Sequence, residues 1–420
     1  MKKLFKVSCL ALAVLAGASS LSAQGFGRRQ QEDPTGYKDT YKDYFTVGVA
    51  VNMRNVTDKD QIALIKKNFN SITAENDMKP VSLQPEEGKF NWENADKIAN
   101  FCRENNIPLR GHCLCWHSQF ADWMFVDKNG KDVSKEVFYE RLRTHIHAVV
   151  NRYKDVVYAW DVVNEAMADG DGRRTPWMKE EPSPYRQSRH FKLCGDEFIA
   201  KAFEFAREAD PKALLFYNDY NAADPAKRDR IFNMVKKMKD AGVPIDGIGM
   251  QGHLSDNNDI EEYIVALKEY AALVNEVHIT ELDVKCTCLN KNQEYYQAVF
   301  YKKFFEALLQ AKKEGANLTS VTFWGLTDDN SWIRGANPLL FHGDLSEKRS
   351  FEGVVYAVTG EDLGEPEKIG INLSDRLYDF ETSEGAEPVK PEELGFKMRG
   401  FGAIEIQDRV VHSGKAALAN

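Results

Sequence analysis

Short runs rich in β-branched and aromatic residues alternate along the chain with longer stretches whose apolar residues recur at helical spacing. The strand candidates are Phe45–Ala50, Ser71–Thr73, Pro108–His112, Val156–Val163, Ala213–Tyr217, Gly247–Met250, Glu276–Thr280 and Ser320–Trp324. Between them Asp58–Asn68, Ser134–Tyr153, Asp196–Ala209, Pro225–Ala241, Asp259–Leu273 and Gln293–Glu314 read as helices. Asp224 ahead of Pro225 is a helix-start signal, because a capping residue precedes a proline in the first turn. Eight strands alternating with helices predict an α/β fold, a (β/α)8 TIM barrel. Periodicity alone leaves an open doubly wound sheet as an alternative. The polar residues favour the barrel, since nearly every strand run ends in a polar or aromatic cluster, and barrels carry their sites on that face.

The flanks differ from this middle. Residues 1–23 have a basic start (Lys2, Lys3, Lys6), an apolar stretch over Leu10–Ala16 and small residues at Leu21–Ala23, the pattern of a secretory signal peptide. The apolar stretch is too short to span a bilayer, and no later stretch is apolar enough to do so. Export predicts a secreted or periplasmic protein. Residues 24–42 are polar and glycine-containing and read as a spacer, leaving 43–360 as the barrel. Residues 361–374 read as a linker. Over 375–420, Leu377–Glu381 and Gly402–Ile406 look like strands, so this short C-terminal β-rich tail is read as part of a β-sandwich, resembling a carbohydrate-binding module. It is shorter than the ~100 residues of a complete sandwich.

Formal net charge is -9. An acidic chain does not suit nucleic acid or anionic lipid as a partner. Six cysteines follow the leader, among them the C-x-C pairs Cys113/Cys115 and Cys286/Cys288. Those pairs lack the C-x-x-C spacing of zinc or redox motifs, so buried thiols are the expectation and neither metal nor cofactor is expected. A monomer is the default.

The chemistry lies at the strand ends. Asp161-Val162-Val163-Asn164-Glu165-Ala166 closes one apolar run, and Ile279-Thr280-Glu281-Leu282-Asp283 closes another. Two glutamates presented in this way can serve as proton donor and nucleophile in glycoside hydrolysis. The other ends supply Glu75, Asn76 and Lys79; His112, Trp116 and Gln119; Asn218, Asp219 and Tyr220; Gln251 and His253; then Trp324 and Trp332. Sugar hydroxyls require amide and carboxylate partners, and the apolar sugar faces suit aromatic surfaces. Any one of these residues also has a plain reading as a satisfied core side chain. Seven strand ends with polar groups are harder to assign to a core, because buried polar groups cost free energy unless they are partnered.

At these motifs the chain resembles glycoside hydrolase family ten, the endo-β-1,4-xylanases. The matching stretches are Thr73–Lys79, Gly111–Gln119, Trp160–Ala166, Tyr217–Tyr220, Gly249–His253, Ile279–Val284 and Trp324–Asp328 with Ser331-Trp332. They run in the family's order over roughly residues 43–360. Asp77 stands where the family commonly has Glu, Cys113 and Cys115 where Thr and Val are usual, and Asp169–Cys194 reads as a lengthened loop. The resemblance implies a retaining enzyme acting on xylan or arabinoxylan, with Glu165 as general acid/base and Glu281 as nucleophile. It implies that His253 and Asp283 support the nucleophile and that Asn164 takes the 2-hydroxyl. Glu75, Asn76 and Lys79 would bind sugar on the non-reducing side. His112, Trp116, Gln119, Gln251 and Tyr220 would complete the wall, and Trp324 and Trp332 its floor and lid. Two alternatives remain: another retaining β-glycanase acting on mixed-linkage glucan or cellulose, and a catalytically inactive carbohydrate-binding protein. A carbohydrate esterase would need a nucleophilic serine elbow, and no G-x-S-x-G occurs.

Overall fold

The computed structural model describes residues 36–170, 183–287 and 291–367, together with the backbone of Glu405–Gln407 and Ala417–Ala419. The chain divides into a unit ending at Glu365 and a second beginning at Pro366. In the first, the strands are β1 (Thr46–Val51), β2 (Ser71–Ala74), β3 (Leu109–Trp116), β4 (Val157–Asn164), β5 (Leu214–Asp219), β6 (Gly247–Met250), the short β7 (His253–Ser255), β8 (Glu276–Lys285) and β9 (Leu318–Phe323). Neighbours pair in parallel, and the ring closes because β9 pairs with β1 and β6 with β8. This is the predicted eight-stranded barrel. The strands read as near-continuous apolar runs because helices cover their outer face and side chains fill the inner one. β7 lies outside the ring, paired to the far end of β8 with His253 opposite Asp283.

Six connecting helices coincide with the sequence expectation to within a residue or two: Lys59–Asn68, Lys135–Tyr153, Glu197–Ala209, Pro225–Asp240, Ile260–Leu273 and Gln293–Lys313. Asp58, Ser134 and Asp259 cap theirs by accepting backbone N–H bonds. Asp224 stands before Pro225 as expected but makes no side-chain cap bond. Two further helices, Glu93–Asn105 and Arg349–Thr359, were not expected. They follow β2 and β9 and complete one helix per barrel strand.

Glu281 also departs from expectation. It sits inside β8 and not past its end, since β8 continues to Lys285 where β7 extends its pairing. The barrel interior holds a buried charge pair, Arg110 on β3 and Asp161 on β4, each side chain 1% exposed. Arg110 Nη2 donates to Asp161 Oδ1 at 2.6 Å. Gly111, the register partner of Trp160 on the adjacent strand, leaves room for that indole, because a Cβ there would come within 2.1 Å of the ring.

At the flanks, Tyr37 and Tyr41 fall within the stretch read as spacer, yet both are fully buried. Their rings lie 5.0 Å apart edge to face, and Tyr41 Oη donates to Val354 O at 2.6 Å. Two aromatics in a polar stretch are enough to dock it. Within 361–367, Leu363 is buried and its carbonyl accepts from Arg349, so the first part of the stretch read as linker packs with the barrel. Glu405–Gln407 and Ala417–Ala419 pair antiparallel. The leader, most of the spacer, Cys288, the middle of the 169–194 loop, and the rest of the linker and tail, with Leu377–Glu381, lie outside the described residues. Cys102, Cys113, Cys115 and Cys194 are buried thiols, as expected, and burial pushes Cys102 up to about 12. Among the described residues no helix is long and apolar enough to cross a membrane.

Candidate active site

The strand ends converge on one cleft of about 490 Å³. Glu75, Asn76 and Lys79 enter it after β2, and His112, Trp116 and Gln119 from β3 and the turn beyond. Asn164 and Glu165 enter from β4, Tyr220 from β5, Gln251 and His253 from β6 and β7, and Glu281 from β8. Trp324 and Trp332 close it after β9. Asp283 does not line the cleft; it lies behind His253. Of the other residues singled out from the sequence, Asn218 and Asp219 are fully buried and do not line the cleft, and the rest face the same space. Asn221, which sequence reasoning did not select, lines it too.

Glu281 is the more enclosed of the two glutamates, 5% exposed. Oε1 accepts from Asn218 Nδ2 at 2.8 Å, and Oε2 lies 3.2 Å from His253 Nε2. His112 Nδ1 stands 3.9 Å from Oε1 and 2.9 Å from Asp161 Oδ2. Burial alone would raise this carboxyl, but the His253 bond and the two imidazoles beside it hold it below its ordinary value. His253 is in turn 2.9 Å from Asp283 Oδ2 through Nδ1. Burial opposes its protonation, yet Asp283 and Glu281 raise it to about 10, so it is an imidazolium at neutral pH. Trp332 Nε1 donates to the same Asp283 oxygen at 2.8 Å.

Glu165 has other company. Gln251 Nε2 donates to its Oε1 at 2.9 Å and Trp116 Nε1 to its Oε2 at 2.9 Å. His117 Nδ1 is 3.8 Å from Oε2; burial and the charge of Arg186 lower that imidazole, which favours its neutral form. Asn164 joins the two glutamates. Its Oδ1 accepts from Asn218 Nδ2 at 3.0 Å and Gln251 Nε2 at 3.2 Å. Asn218 and Gln251 are oriented by the carboxylates they serve, and turning the Asn164 amide over would set NH2 against NH2. The order from carboxylate to carboxylate is therefore Glu165, Gln251, Asn164, Asn218, Glu281. Toward the β2 side, Lys79 Nζ donates to Asn76 Oδ1 at 2.9 Å and lies 5.0 Å over the Trp116 ring. Burial raises the Glu75 carboxyl against the pull of Lys79.

Several supporting residues escaped selection from sequence. Asn218 and Asp219 were visible as a polar pair ending β5, but nothing in the pattern showed that Asn218 holds Glu281. Arg110 and Asp161 read as strand positions, and their signal was a charge at an inward position of an apolar run. Arg186, whose Nε donates to Glu165 O at 2.9 Å, comes from a long loop with no periodicity to place it.

The sequence model of glycosyl hydrolase family 10 matches residues 36–357. The chain belongs to glycosyl hydrolase family 10. Among curated relatives, a protein named endo-1,4-beta-xylanase/feruloyl esterase from Xylanibacter ruminicola is 55% identical over 372 residues, covering 84% of this chain. The chain spans about half of that relative, 50% of its length. Among solved structures, a psychrophilic family 10 endo-beta-1,4-xylanase aligns with a TM-score of 0.71 at 51% identity, covering 76% of this chain and 99% of its own. An intracellular xylanase of Thermoanaerobacterium saccharolyticum, in complex with xylotriose, aligns with a TM-score of 0.70 at 38% identity, covering 77% of this chain and 99% of its own. Family 10 membership accounts for the barrel.

Proposed function

We propose that this chain hydrolyses internal β-1,4-xylosidic bonds of xylan or arabinoxylan with retention of configuration. The observation that carries this reading is the opposed setting of the two glutamates in one cleft. Glu281 is kept ionised by histidines, and Glu165 is held by neutral donors. In the first step a Glu281 oxygen attacks the anomeric carbon, the glycosidic C–O bond breaks, and Glu165 gives its proton to the departing oxygen. In the second step water attacks the same carbon, Glu165 takes a proton from that water, and the bond to Glu281 breaks. Asn164 takes the 2-hydroxyl of the sugar at the cleavage point, a contact that strengthens as the oxocarbenium character develops. Glu75, Asn76 and Lys79 bind the next sugar on the non-reducing side. His112, Trp116, Gln119, Gln251 and Tyr220 form the wall. Trp324 and Trp332 crowd the position of a hexose hydroxymethyl group, which favours xylose over glucose.

The relatives are named xylanases, which supports the same substrate class. The leader pattern of residues 1–23, a basic start followed by an apolar stretch and small residues, supports export with cleavage before Gln24; an exported protein whose first residue is not Gln24 would overturn that cleavage point. We also read the tail over 375–420 as a β-rich module separate from the barrel. The deciding experiment is a product profile on arabinoxylan, mixed-linkage glucan and carboxymethylcellulose. Short xylo-oligosaccharides from arabinoxylan are expected. Stronger release from glucan would overturn the xylose preference, and no release from any of the three would favour a binding role.

A further inference from the structure

Glu165 has a backbone φ of 58°, in the left-handed region where a residue with a side chain is strained. Such a conformation persists only where its surroundings fix it. A glycine would adopt it freely, but a glycine carries no carboxylate. The fixing groups are identifiable. Glu165 N donates to Asn218 O at 2.9 Å, and Arg186 Nε donates to Glu165 O at 2.9 Å. The next two amides, Ala166 N and Met167 N, both donate to one atom, Tyr217 Oη, at 3.0 and 3.1 Å. Tyr217 and Asp219 are fully buried, and the Tyr217 hydroxyl donates to Asp219 Oδ2. The other Asp219 oxygen accepts from Tyr220 N at 2.9 Å and lies 2.9 Å from Lys227 Nζ.

We infer that Tyr217 and Asp219 are positioning residues for the proton-transfer function of Glu165: the Tyr217 hydroxyl, polarised by Asp219, clamps the turn that aims the Glu165 carboxyl at the leaving oxygen. This rests on the reading of Glu165 as general acid. The phenol oxygen accepts two N–H bonds while its own proton goes to a carboxylate, so each bond strengthens the others. Burial and the neighbouring carboxylate push the Tyr217 hydroxyl well above its ordinary value, which keeps it a donor. Neither the Tyr217 nor the Asp219 side chain contacts Glu281, which is held by the Asn218 amide that lies between them in sequence. Loss of the clamp hydroxyl or carboxylate should therefore weaken proton donation far more than nucleophilic attack.

Leaving-group dependence separates these effects. kcat/KM for an aryl β-xylobioside reports the first step, which needs the proton for xylan and 4-nitrophenyl substrates far more than for a 2,4-dinitrophenyl leaving group. For Tyr217→Phe, kcat/KM on xylan is expected to fall ~10–100-fold, part of the ~10²–10⁴ that a general acid contributes. The dinitrophenyl substrate should change by less than ~3-fold, a small fraction of that contribution. Asp219→Asn, which keeps an acceptor for the phenol, should show the same pattern at smaller amplitude; it also serves if Tyr217→Phe does not fold. Equal losses on activated and unactivated substrates, or no loss on xylan, would overturn the inference. Glu165→Ala is the reference. If it too loses both substrates equally, the acid assignment itself fails. If it spares the dinitrophenyl substrate and the Tyr217 and Asp219 variants do not, only the clamp fails.

Discussion

Glu165 and Glu281 are the same side chain on the rim of the same barrel, and they differ in almost every physical respect. Glu281 lies within β8, with ordinary extended neighbours, and is nearly inaccessible. Glu165 sits one residue past β4 on a left-handed turn, with its side chain 12% exposed. The donors around Glu281 include an imidazolium backed by a second carboxylate. Those around Glu165 are an amide and an indole. A full charge beside a buried carboxyl stabilises its ionised form, whereas neutral donors serve either form with less bias. Environment alone can thus suit two identical groups to different work, in keeping with the division of labour proposed above.

The largest break in this comparison comes from removing each carboxylate in turn. Glu281→Ala is expected to lower kcat/KM on xylan and on activated aryl xylobiosides alike, by more than ~10⁴-fold, as loss of a nucleophile does elsewhere. Glu165→Ala is expected to cost ~10²–10⁴-fold on xylan. On a dinitrophenyl xylobioside its glycosyl-enzyme should accumulate, because the proposed base for the second step is gone; added azide should then release a β-xylobiosyl azide. Rapid-quench kinetics and product analysis check both. A Glu281→Ala variant with near-wild-type turnover would erase the division of labour.

A smaller break acts on the charge that distinguishes the two sites. His253 is raised from 6.5 to about 10 by Asp283 and Glu281. Its contribution to stability is therefore complete below pH 6.5 and is lost as pH rises through about 10. Glu281 is displaced the other way, so its contribution is present above the ordinary carboxylate range and fades as pH falls through its lowered value. His253→Asn should accordingly melt below the wild type near neutral pH by a few degrees, with the gap closing toward pH ~10. The same variant should lose activity on dinitrophenyl and xylan substrates together, because it disturbs Glu281, the proposed nucleophile. A melting gap that is constant with pH would show that His253 contributes packing and not charge.

Much of this contrast was legible in the sequence, and the gaps have physical causes. The strands were readable because a parallel barrel strand buries both faces and so appears as an unbroken apolar run. The helix Glu93–Asn105 was missed because its buried face is built largely of Ala95 and Ala99 with Ile98, Phe101 and Cys102, and Trp92 makes no side-chain cap bond. Arg349–Thr359 was hidden by Gly353, where a Cβ would lie 2.3 Å from Ala298 O; close approach of two helices demanded a helix breaker inside a helix. At the site, residues aimed into the cleft were identifiable by type. Apart from Asp283, those that act through another residue were not, because Asn218, Tyr217 and Arg110 gain their meaning only from partners brought near by the closure of the ring. The extent of β8 was misjudged for a similar reason, since its end is set by β7, a three-residue strand with no signal of its own.

The finest test concerns Trp332, which is 56% exposed yet donates its indole N–H to Asp283 Oδ2, the oxygen that also faces His253. Asp283 Oδ1 is buried without a partner among the described residues, so this one oxygen carries both contacts. Trp332→Phe keeps an aromatic lid and removes only the donor. A single exposed hydrogen bond contributes ~0.5–1.5 kcal/mol, so kcat/KM on xylan should fall by about 2–10-fold, toward the lower end given the exposure. Freed of the indole, Asp283 holds the imidazolium more strongly, and the alkaline limb of the pH profile should move up. Trp332→Ala should instead open the cleft and raise relative activity on mixed-linkage glucan, by ~10-fold, as steric discrimination of one extra group allows. An unchanged pH profile in Trp332→Phe would make the tryptophan a lid alone. A loss as large as that of His253→Asn would mean that the lid, and not the histidine, keeps Glu281 apart from Glu165 in character.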